Sequence, residues 1–191
     1  MKVKIGISAR HVHLTKDDLE YLFGEGYDLN KYKELTQPGE YACEEKVSII
    51  GEKGRIDDVR IVGPLRSYTQ VEISKTDAYL LGLNPPVRNS GDLKDSEEIT
   101  IEYNGKKLLK NNACIIATRH IHINSIEMEK YNLKNNQKVK LKIDSIKGGI
   151  LDNVFVKSSD NYVFEAHLDL DDANANFIKS GDLGEIINEW I

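Results

Sequence analysis

Residues 9–15, Ala-Arg-His-Val-His-Leu-Thr, recur later in the chain as residues 118–124, Thr-Arg-His-Ile-His-Ile-Asn. A run with strand character precedes each copy: residues 3–8 alternate in polarity, and residues 113–118 are mostly apolar. Each copy ends in a capping signal, an N-cap residue with an acidic residue three positions later, which predicts a helix. Because the match continues beyond the seven residues, we expect an internal duplication.

Two later segments also correspond. Both have strand character, and Glu72 in the first half takes the place of His167 in the second. Five residues after each comes an Asp-Ala pair, which opens a short helix predicted to reach Gly82 in the first half and Gly181 in the second. Several short strands, separated by glycine-containing turns, fill the remainder of each half.

This order of elements predicts the fold class. Many short strands with only a few helices favour a mainly β fold with capping helices, an α+β architecture of two tandem, duplicated β-barrel domains. Residues 10–117 would form the first barrel and residues 118–191 the second, with the active site between them.

The two His-x-His pairs are the strongest candidates for chemistry. Residues i and i+2 of a strand project from one face, so each pair presents two imidazoles to one point, as zinc and similar metals require. Glu72 and His167 offer each half a third ligand, which leaves an open position typical of a catalytic metal. The alternative is a pair of merely polar strand ends. The six candidate ligands are His11, His13, Glu72, His120, His122 and His167.

Arginines near these residues are candidates for binding an anion. Arg66 lies six residues before Glu72, after a Gly-Pro turn, and a guanidinium beside a dication suits phosphate or carboxylate. Arg88, in a turn-rich loop, is a weaker candidate that could contact an anionic substrate or hold its own loop. Arg10 and Arg119 precede the His pairs and face the other side of their strands, which favours a structural role.

Composition excludes several classes of protein. The 191 residues include 26 basic and 31 acidic side chains, and the net charge of −5 argues against nucleic-acid binding. No apolar run approaches a membrane span, and no signal peptide is visible. Two cysteines make no disulfide framework, so we expect a cytoplasmic protein. Cys43 lies among acidic residues and Cys114 in an apolar strand, which makes both poor nucleophiles.

The motifs together resemble one family over essentially the whole chain. They are Arg-His-Val-His-Leu, Gly-Pro-x-Arg-x-x-Thr-Gln-Val-Glu-Ile-Ser-x-Thr-Asp-Ala, Pro-Pro-Val-Arg-x-Ser-Gly-Asp, Arg-His-Ile-His and Glu-x-His-x-Asp-x-Asp-x-Ala-Asn. This combination is similar to the PduL-type phosphate acyltransferases, which are named for propanediol utilisation. The resemblance implies reversible conversion of a short-chain acyl-CoA and phosphate to acyl phosphate and CoA.

The resemblance also implies site residues and architecture. It places the ligands of a dinuclear, usually zinc, centre on the same six residues, and the phosphate-contacting arginine on Arg66. It implies that the first strand of each repeat is exchanged between the barrels, so that residues 1–9 complete the second barrel, and that the enzyme is a homodimer. Relatives destined for bacterial microcompartments carry an N-terminal encapsulation extension. Here the first strand starts near Val3, so we expect a freely cytoplasmic enzyme, for which acetyl-CoA is at least as good a candidate as propanoyl-CoA.

Two other functions stay open on the residues alone. A pair of metals could activate water in a dinuclear metallohydrolase, or the chain could be a non-catalytic metal-binding module.

Overall fold

The computed structural model describes residues 1–187, so residues 188–191 of the predicted second domain lie outside the described residues. The described part contains fourteen strands and four short helices. The strands are β1 (Lys2–Ser8), β2 (His11–His13), β3 (Lys31–Glu34), β4 (Tyr41–Ile50), β5 (Arg55–Gly63), β6 (Gln70–Glu72), β7 (Val87–Arg88), β8 (Glu97–Tyr103), β9 (Lys106–Ala117), β10 (His120–Ile123), β11 (Lys138–Ile143), β12 (Ile150–Ser158), β13 (Glu165–Asp169) and β14 (Leu183–Ile187). The helices are α1 (Lys16–Phe23), α2 (Lys75–Leu81), α3 (Ser125–Lys130) and α4 (Leu170–Ala175). None of these helices has the length and apolar character needed to cross a membrane.

The chain forms two compact units. The first-repeat unit comprises Arg10–Leu35 and Gly39–Ala117. Six of its strands close in the order β4-β5-β2-β6-β9-β8, because β8 pairs with both β9 and β4. Strand β3 extends the sheet beside β4, and β7 pairs with β9.

The second-repeat unit comprises Met1–Ala9, Thr36–Pro38 and the described residues from Thr118 onward. Its six strands form a closed barrel in the order β1-β13-β10-β12-β11-β14. The three residues of Thr36–Pro38 come from the connection between β3 and β4, so a short piece of the first half of the sequence packs with this barrel.

Both barrels use one pairing scheme. Each His-x-His strand, β2 or β10, runs parallel to one neighbour, β5 or β12, and antiparallel to the other, β6 or β13. Strands β5 and β12 also carry a residue with positive φ at the same place, Asp58 at 59° and Asn153 at 60°, a conformation that Asp and Asn tolerate best after glycine. The prediction of a mainly β fold of two duplicated barrels with capping helices is confirmed.

The strand that leads into each His-x-His belongs to the barrel of the other repeat. Strand β1 precedes β2 in the chain but pairs with β13 and β14 of the second-repeat barrel. Strand β9 precedes β10 but pairs with β6 and β8 of the first-repeat barrel, with the same parallel and antiparallel directions. The duplicated halves therefore exchange one strand each.

Helix ends follow local capping chemistry. Thr15 and Asn124 accept hydrogen bonds from the backbone three residues on, as the sequence predicts, and Ser74 and Asp77 form a reciprocal capping box at α2. The prediction that the last helix reaches Gly181 is wrong. It ends at Ala175, because Phe177 adopts a left-handed φ of 53° and closes the same C-terminal turn that Gly82 closes after α2.

The arginine before each His-x-His ties a helix to its barrel. Arg10 donates to Asp77 Oδ1 at 2.6 Å, and Arg119 donates to both carboxylate oxygens of Asp172 at 2.7 and 2.6 Å. Each aspartate lies in the first turn of its helix, α2 or α4, where negative charge is favourable. The predicted structural role of these arginines fits their contacts.

Each barrel encloses its own apolar core. Fully buried side chains of the first-repeat core include Leu19, Ile49, Ile61, Leu81 and Ile101. The second-repeat core includes Val3, Ile5, Ile121, Ile123, Leu141 and Val154. Since Val3 and Ile5 come from β1, the beginning of the chain supplies part of the core of the second-repeat barrel.

A substitution in β1 tests this strand exchange. Ile5→Ala should lower the free energy of unfolding by about 2–5 kcal/mol, because it removes a fully buried side chain and leaves a cavity in the second-repeat core. Lys4→Ala, at the adjacent exposed position, should change it by less than about 0.5 kcal/mol. Urea denaturation of the two variants measures the difference, and equal stabilities would contradict the role of β1.

Candidate metal centre

Four polar side chains form a square on one face of β2 and β6. The antiparallel ladder sets His11 opposite Glu72 and His13 opposite Gln70. His11 Nε2 lies 3.2 Å from His13 Nε2 and 3.7 Å from Glu72 Oε2. His13, Gln70 and Glu72 are buried, so this face is shielded from water. We name His11, His13 and Glu72 the His-His-Glu group.

The ring state of His13 suits a metal ligand. Its Nδ1 lies 2.9 Å from the carbonyl oxygen of Val62, which can only accept, so the ring's proton sits on Nδ1 and Nε2 keeps a lone pair beside His11 Nε2. Burial, with the nearby His11 and Arg66, holds the pKa of His13 well below its ordinary value. The ring is therefore neutral and oriented before any ligand arrives.

A second square lies on β10 and β13. Here the ladder sets His120 opposite His167 and His122 opposite Glu165. The rings of His120 and His167 stack with centroids 5.0 Å apart, and the ring of His122 lies 4.6 Å from that of His167. We name His120, His122 and His167 the three-His group. Its residues occupy the same ladder positions as the His-His-Glu group.

Two rings of the three-His group, those of His120 and His122, are also neutral. His120 donates from Nδ1 to the carbonyl of Thr118 at 2.7 Å, which leaves Nε2 as its free nitrogen. Burial holds the pKa of His120 well below its ordinary value and, together with His167, lowers the pKa of His122 to about 3. His122 Nδ1 is buried without a hydrogen-bond partner among the described residues, an arrangement that costs free energy unless something else binds there.

Both groups fit a divalent metal ion. In each group, one potential ligand atom per residue can be chosen so that all lie within 4.8 Å of one another. Neutral imidazoles and carboxylates are ligands that zinc prefers, and three protein ligands leave a position for a substrate. The partnerless nitrogen of His122 is an independent sign that the three-His group is completed by a bound species.

Arg66 is held in place by three described side chains. Its Nη1 donates to Tyr68 Oη at 3.1 Å and to Ser90 Oγ at 3.0 Å, and its Nη2 donates to Glu40 Oε1 at 3.1 Å. Because a guanidinium has five N–H donors, these contacts leave two for a bound anion. Its backbone N–H donates to Leu14, next to the His-x-His strand.

Hydrogen bonds connect Arg66 to the His-His-Glu group. Ser90 Oγ accepts from Arg66 and also lies 2.9 Å from Gln70 Nε2. Gln70 Nε2 in turn lies 2.6 Å from Glu72 Oε1, and Gln70 Oε1 accepts from the backbone N–H of Gly91. The loop that carries Ser90 and Gly91 therefore fixes Gln70, and Gln70 fixes Glu72.

Arg88 is placed differently. It lies on β7, donates from Nη1 to the carbonyl of Val87 at 3.3 Å, and has its Nε 3.9 Å from Asp92 Oδ2. These contacts belong to its own loop, the second of the two roles considered for it. Substrate binding by Arg88 stays a prediction.

Gln37 is a site residue that the sequence reasoning missed. It is buried, its amide exchanges two hydrogen bonds of 3.1 Å with the backbone of Val163, and its Nε2 lies 3.4 Å from His167 Nε2. It reaches the second-repeat barrel from the segment between β3 and β4. Neither spacing nor repeat could reveal it, because this segment has no counterpart at the same place in the second half of the sequence.

Glu165 and Tyr162 were also missed. The ring of Tyr162 stacks on His122 with centroids 4.0 Å apart. Glu165 Oε2 lies 3.2 Å from His167 Nε2. Burial opposes its ionisation, yet hydrogen bonds from His167, Thr36 and Gln37 hold the pKa of Glu165 below its ordinary value. A signal for Glu165 existed, since it stands two residues before His167 on one strand and must share its face.

Comparison with known proteins gives one consistent family. A model of the phosphate propanoyltransferase family matches residues 4–179. A phosphate propanoyltransferase of Thermotoga maritima is 47% identical, over 96% of this chain and 88% of its own length. Those of Priestia megaterium and Clostridioides difficile are 45% and 40% identical, over 95% and 98% of this chain and 84% and 90% of their own lengths. The chain therefore belongs to the phosphate propanoyltransferase family and is an acyltransferase.

Proposed function

We propose that this chain catalyses the reversible transfer of a short acyl group, acetyl or propanoyl, between coenzyme A and inorganic phosphate. In the forward direction a phosphate oxygen forms a bond to the thioester carbonyl carbon, the carbon–sulfur bond breaks, and acyl phosphate and CoA leave. The observation that carries this proposal is the pair of equivalent metal-type squares, one of them linked by hydrogen bonds to Arg66. Membership of an acyltransferase family supports the reaction type.

The His-His-Glu and three-His groups would each hold one divalent ion, most simply Zn²⁺. Such ions supply a binding site for the departing thiolate, orientation of phosphate and stabilisation of the developing oxyanion. The two groups differ in ligand type, because one includes the carboxylate of Glu72 and the other consists of three imidazoles. We assign the His-His-Glu group to the CoA sulfur and the three-His group, with its higher net positive charge, to phosphate.

Arg66 would bind the phosphate. Its two remaining N–H donors match two oxygens of a phosphate, and the contacts with Tyr68, Ser90 and Glu40 fix the guanidinium plane. A guanidinium held in this way needs little reorganisation when charge develops in the transition state. This positive group also explains how a chain with a net charge of −5 can take an anionic substrate.

Direct attack by phosphate fits the nucleophiles available to the chain. Burial, with nearby acidic groups, raises the pKa of the Cys43 thiol to about 11 and that of Cys114 to about 12. Both cysteines are fully buried in the first-repeat core, so neither forms a thiolate that could accept the acyl group. The state of the two cysteines therefore supports the proposal that the acyl group passes directly from sulfur to phosphate.

Two predictions test the proposed function, and the first of the two concerns the reaction. Acetyl phosphate or propanoyl phosphate with CoA should give thioester absorbance, which a chelator abolishes and Zn²⁺ restores. A substrate series of acetyl-, propanoyl- and butanoyl-CoA should show which chain length is preferred.

Consumption of acyl phosphate without CoA would indicate a metallohydrolase, and bound metal with no turnover would indicate a binding module. Ping-pong kinetics, or acyl label left on the protein, would contradict direct attack.

The second prediction concerns Arg66. Arg66→Ala should lower kcat/KM for phosphate by roughly 10²–10³-fold, because it removes charged donors to the transition state. The KM for CoA and the metal content should change little. Arg55→Ala is a matched control, since Arg55 pairs with Asp57 and Glu102 instead. Turnover of Arg66→Ala near that of the wild type would rule out the assigned role.

A further inference from the structure

The two squares of side chains, on β2 with β6 and on β10 with β13, have their carboxylate at different ladder positions. In the first-repeat square the carboxylate is the ligand Glu72, and the neighbouring corner is the neutral Gln70. In the second-repeat square the candidate ligand is the imidazole of His167, and the neighbouring corner is Glu165. The ladder positions of the two squares correspond, and each square contains one carboxylate. The carboxylate is the candidate ligand in the first-repeat square, whereas in the second-repeat square it occupies the corner beside the candidate ligand.

Glu165 makes contacts that direct it toward the three-His group. Its Oε2 lies 3.2 Å from His167 Nε2, and its ladder partner is His122. Thr36 and Gln37 hydrogen-bond its carboxylate from the side. Because the side chain is buried, with 7% of its surface exposed, its position is set by these contacts and not by water.

A glycine makes room for this carboxylate. Gly6 of β1 lies beside His167 in the parallel ladder, and a Cβ placed there would come within 2.9 Å of Glu165 Cδ and Oε2. The equivalent position in the first-repeat barrel, beside Glu72, is occupied by Ile115. Gly6 is not at a positive φ, so its backbone does not require glycine, and the space it leaves is filled by the end of the Glu165 side chain.

We propose that Glu165 is a positioning residue of the three-His metal site. It fixes the orientation of the His167 ring and supplies the negative charge that three imidazoles lack toward a dication. A carboxylate that hydrogen-bonds a metal-ligating imidazole orients the ring and raises its basicity, and loss of such a partner costs about 10–100-fold in metal affinity. The assignment rests on the metal centre of the proposed function and adds a residue to it.

The test measures Zn²⁺ affinity at one site at a time, by competition with a chromophoric chelator. The double variant His11→Ala/His13→Ala retains the three-His site, and His120→Ala/His122→Ala retains the other. In the first background Glu165→Gln should weaken Zn²⁺ binding by about 10–100-fold. In the second background the same substitution should leave the affinity unchanged.

Gly6→Ala provides an independent arm, because it alters no polar group. The added methyl should displace the flexible end of Glu165 and weaken Zn²⁺ binding at the three-His site in the same direction, by a smaller factor than Glu165→Gln. Gly149→Ala is the matched control in the same unit. An added Cβ there would lie 3.8 Å from Asn176 Oδ1, an ordinary contact distance, so the affinity should not change. The absorption spectrum of bound Co²⁺ should shift with Glu165→Gln and Gly6→Ala only.

Each outcome decides the assignment. The assignment would be overturned if Glu165→Gln left the Zn²⁺ affinity of the three-His site within twofold of the parent. It would also be overturned if Glu165→Gln weakened Zn²⁺ binding equally in both double-variant backgrounds. An effect of Gly149→Ala as large as that of Gly6→Ala would also overturn it, because the loss would then reflect general destabilisation. Urea denaturation of the metal-free variants reports that destabilisation separately.

The result is distinguishable from failure of the proposed function. Zn²⁺ uptake by the wild type without acyl transfer would contradict the proposed reaction and leave the Glu165 measurement valid. If the wild type takes up Zn²⁺ and catalyses acyl transfer, and Glu165→Gln changes neither the Zn²⁺ affinity nor the turnover, only the assignment of Glu165 is contradicted. Absence of Zn²⁺ uptake in the three-His background would contradict both.

Discussion

The register of two short antiparallel ladders, β2 with β6 and β10 with β13, is the constraint on which the site depends. Side chains alternate across a strand, so a shift of one residue would turn the ligands of a whole strand to the opposite face. The surrounding barrels hold the register because the residues between the ligands, Val12 and Ile121, are fully buried in the two cores. A slip would exchange these apolar side chains for histidines, and the loss of burial makes the observed register strongly preferred.

Local sequence was sufficient to predict the parts of the structure that depend on alternation and repetition. The His-x-His pairs, their third partners Glu72 and His167, and the caps at Thr15 and Asn124 all follow from spacing within a few residues or from a match between halves. Sequence spacing could not predict which other side chains surround the candidate site residues. Gln37 reaches His167, and Ser90 reaches Arg66, across contacts far apart in sequence. The exchange of β1 and β9 depends likewise on long-range pairing, which no local spacing indicates.

Burial keeps the rings of His13, His120 and His122 neutral, and it does so at a cost in stability. Removing His13, His120 and His122 from water lowers their pKa values, so the rings stay neutral and their lone pairs remain available to a metal. The same burial leaves His122 Nδ1 without a partner among the described residues, which is unfavourable in the metal-free chain. Binding of a dication to the folded chain alone would recover this free energy, so metal and fold should stabilise each other.

The segment at residues 36–40 gives the two ligand squares different neighbours. Thr36–Pro38 belong with the second-repeat barrel, where Gln37 contacts His167, whereas Gly39 begins the return to the first-repeat unit, where Glu40 holds Arg66. One connection therefore adds an amide to one ligand square and a carboxylate to the arginine beside the other. Duplication by itself would give two squares with like surroundings. Because this segment occurs only in the first repeat, the two squares have different neighbours although their ladder positions correspond.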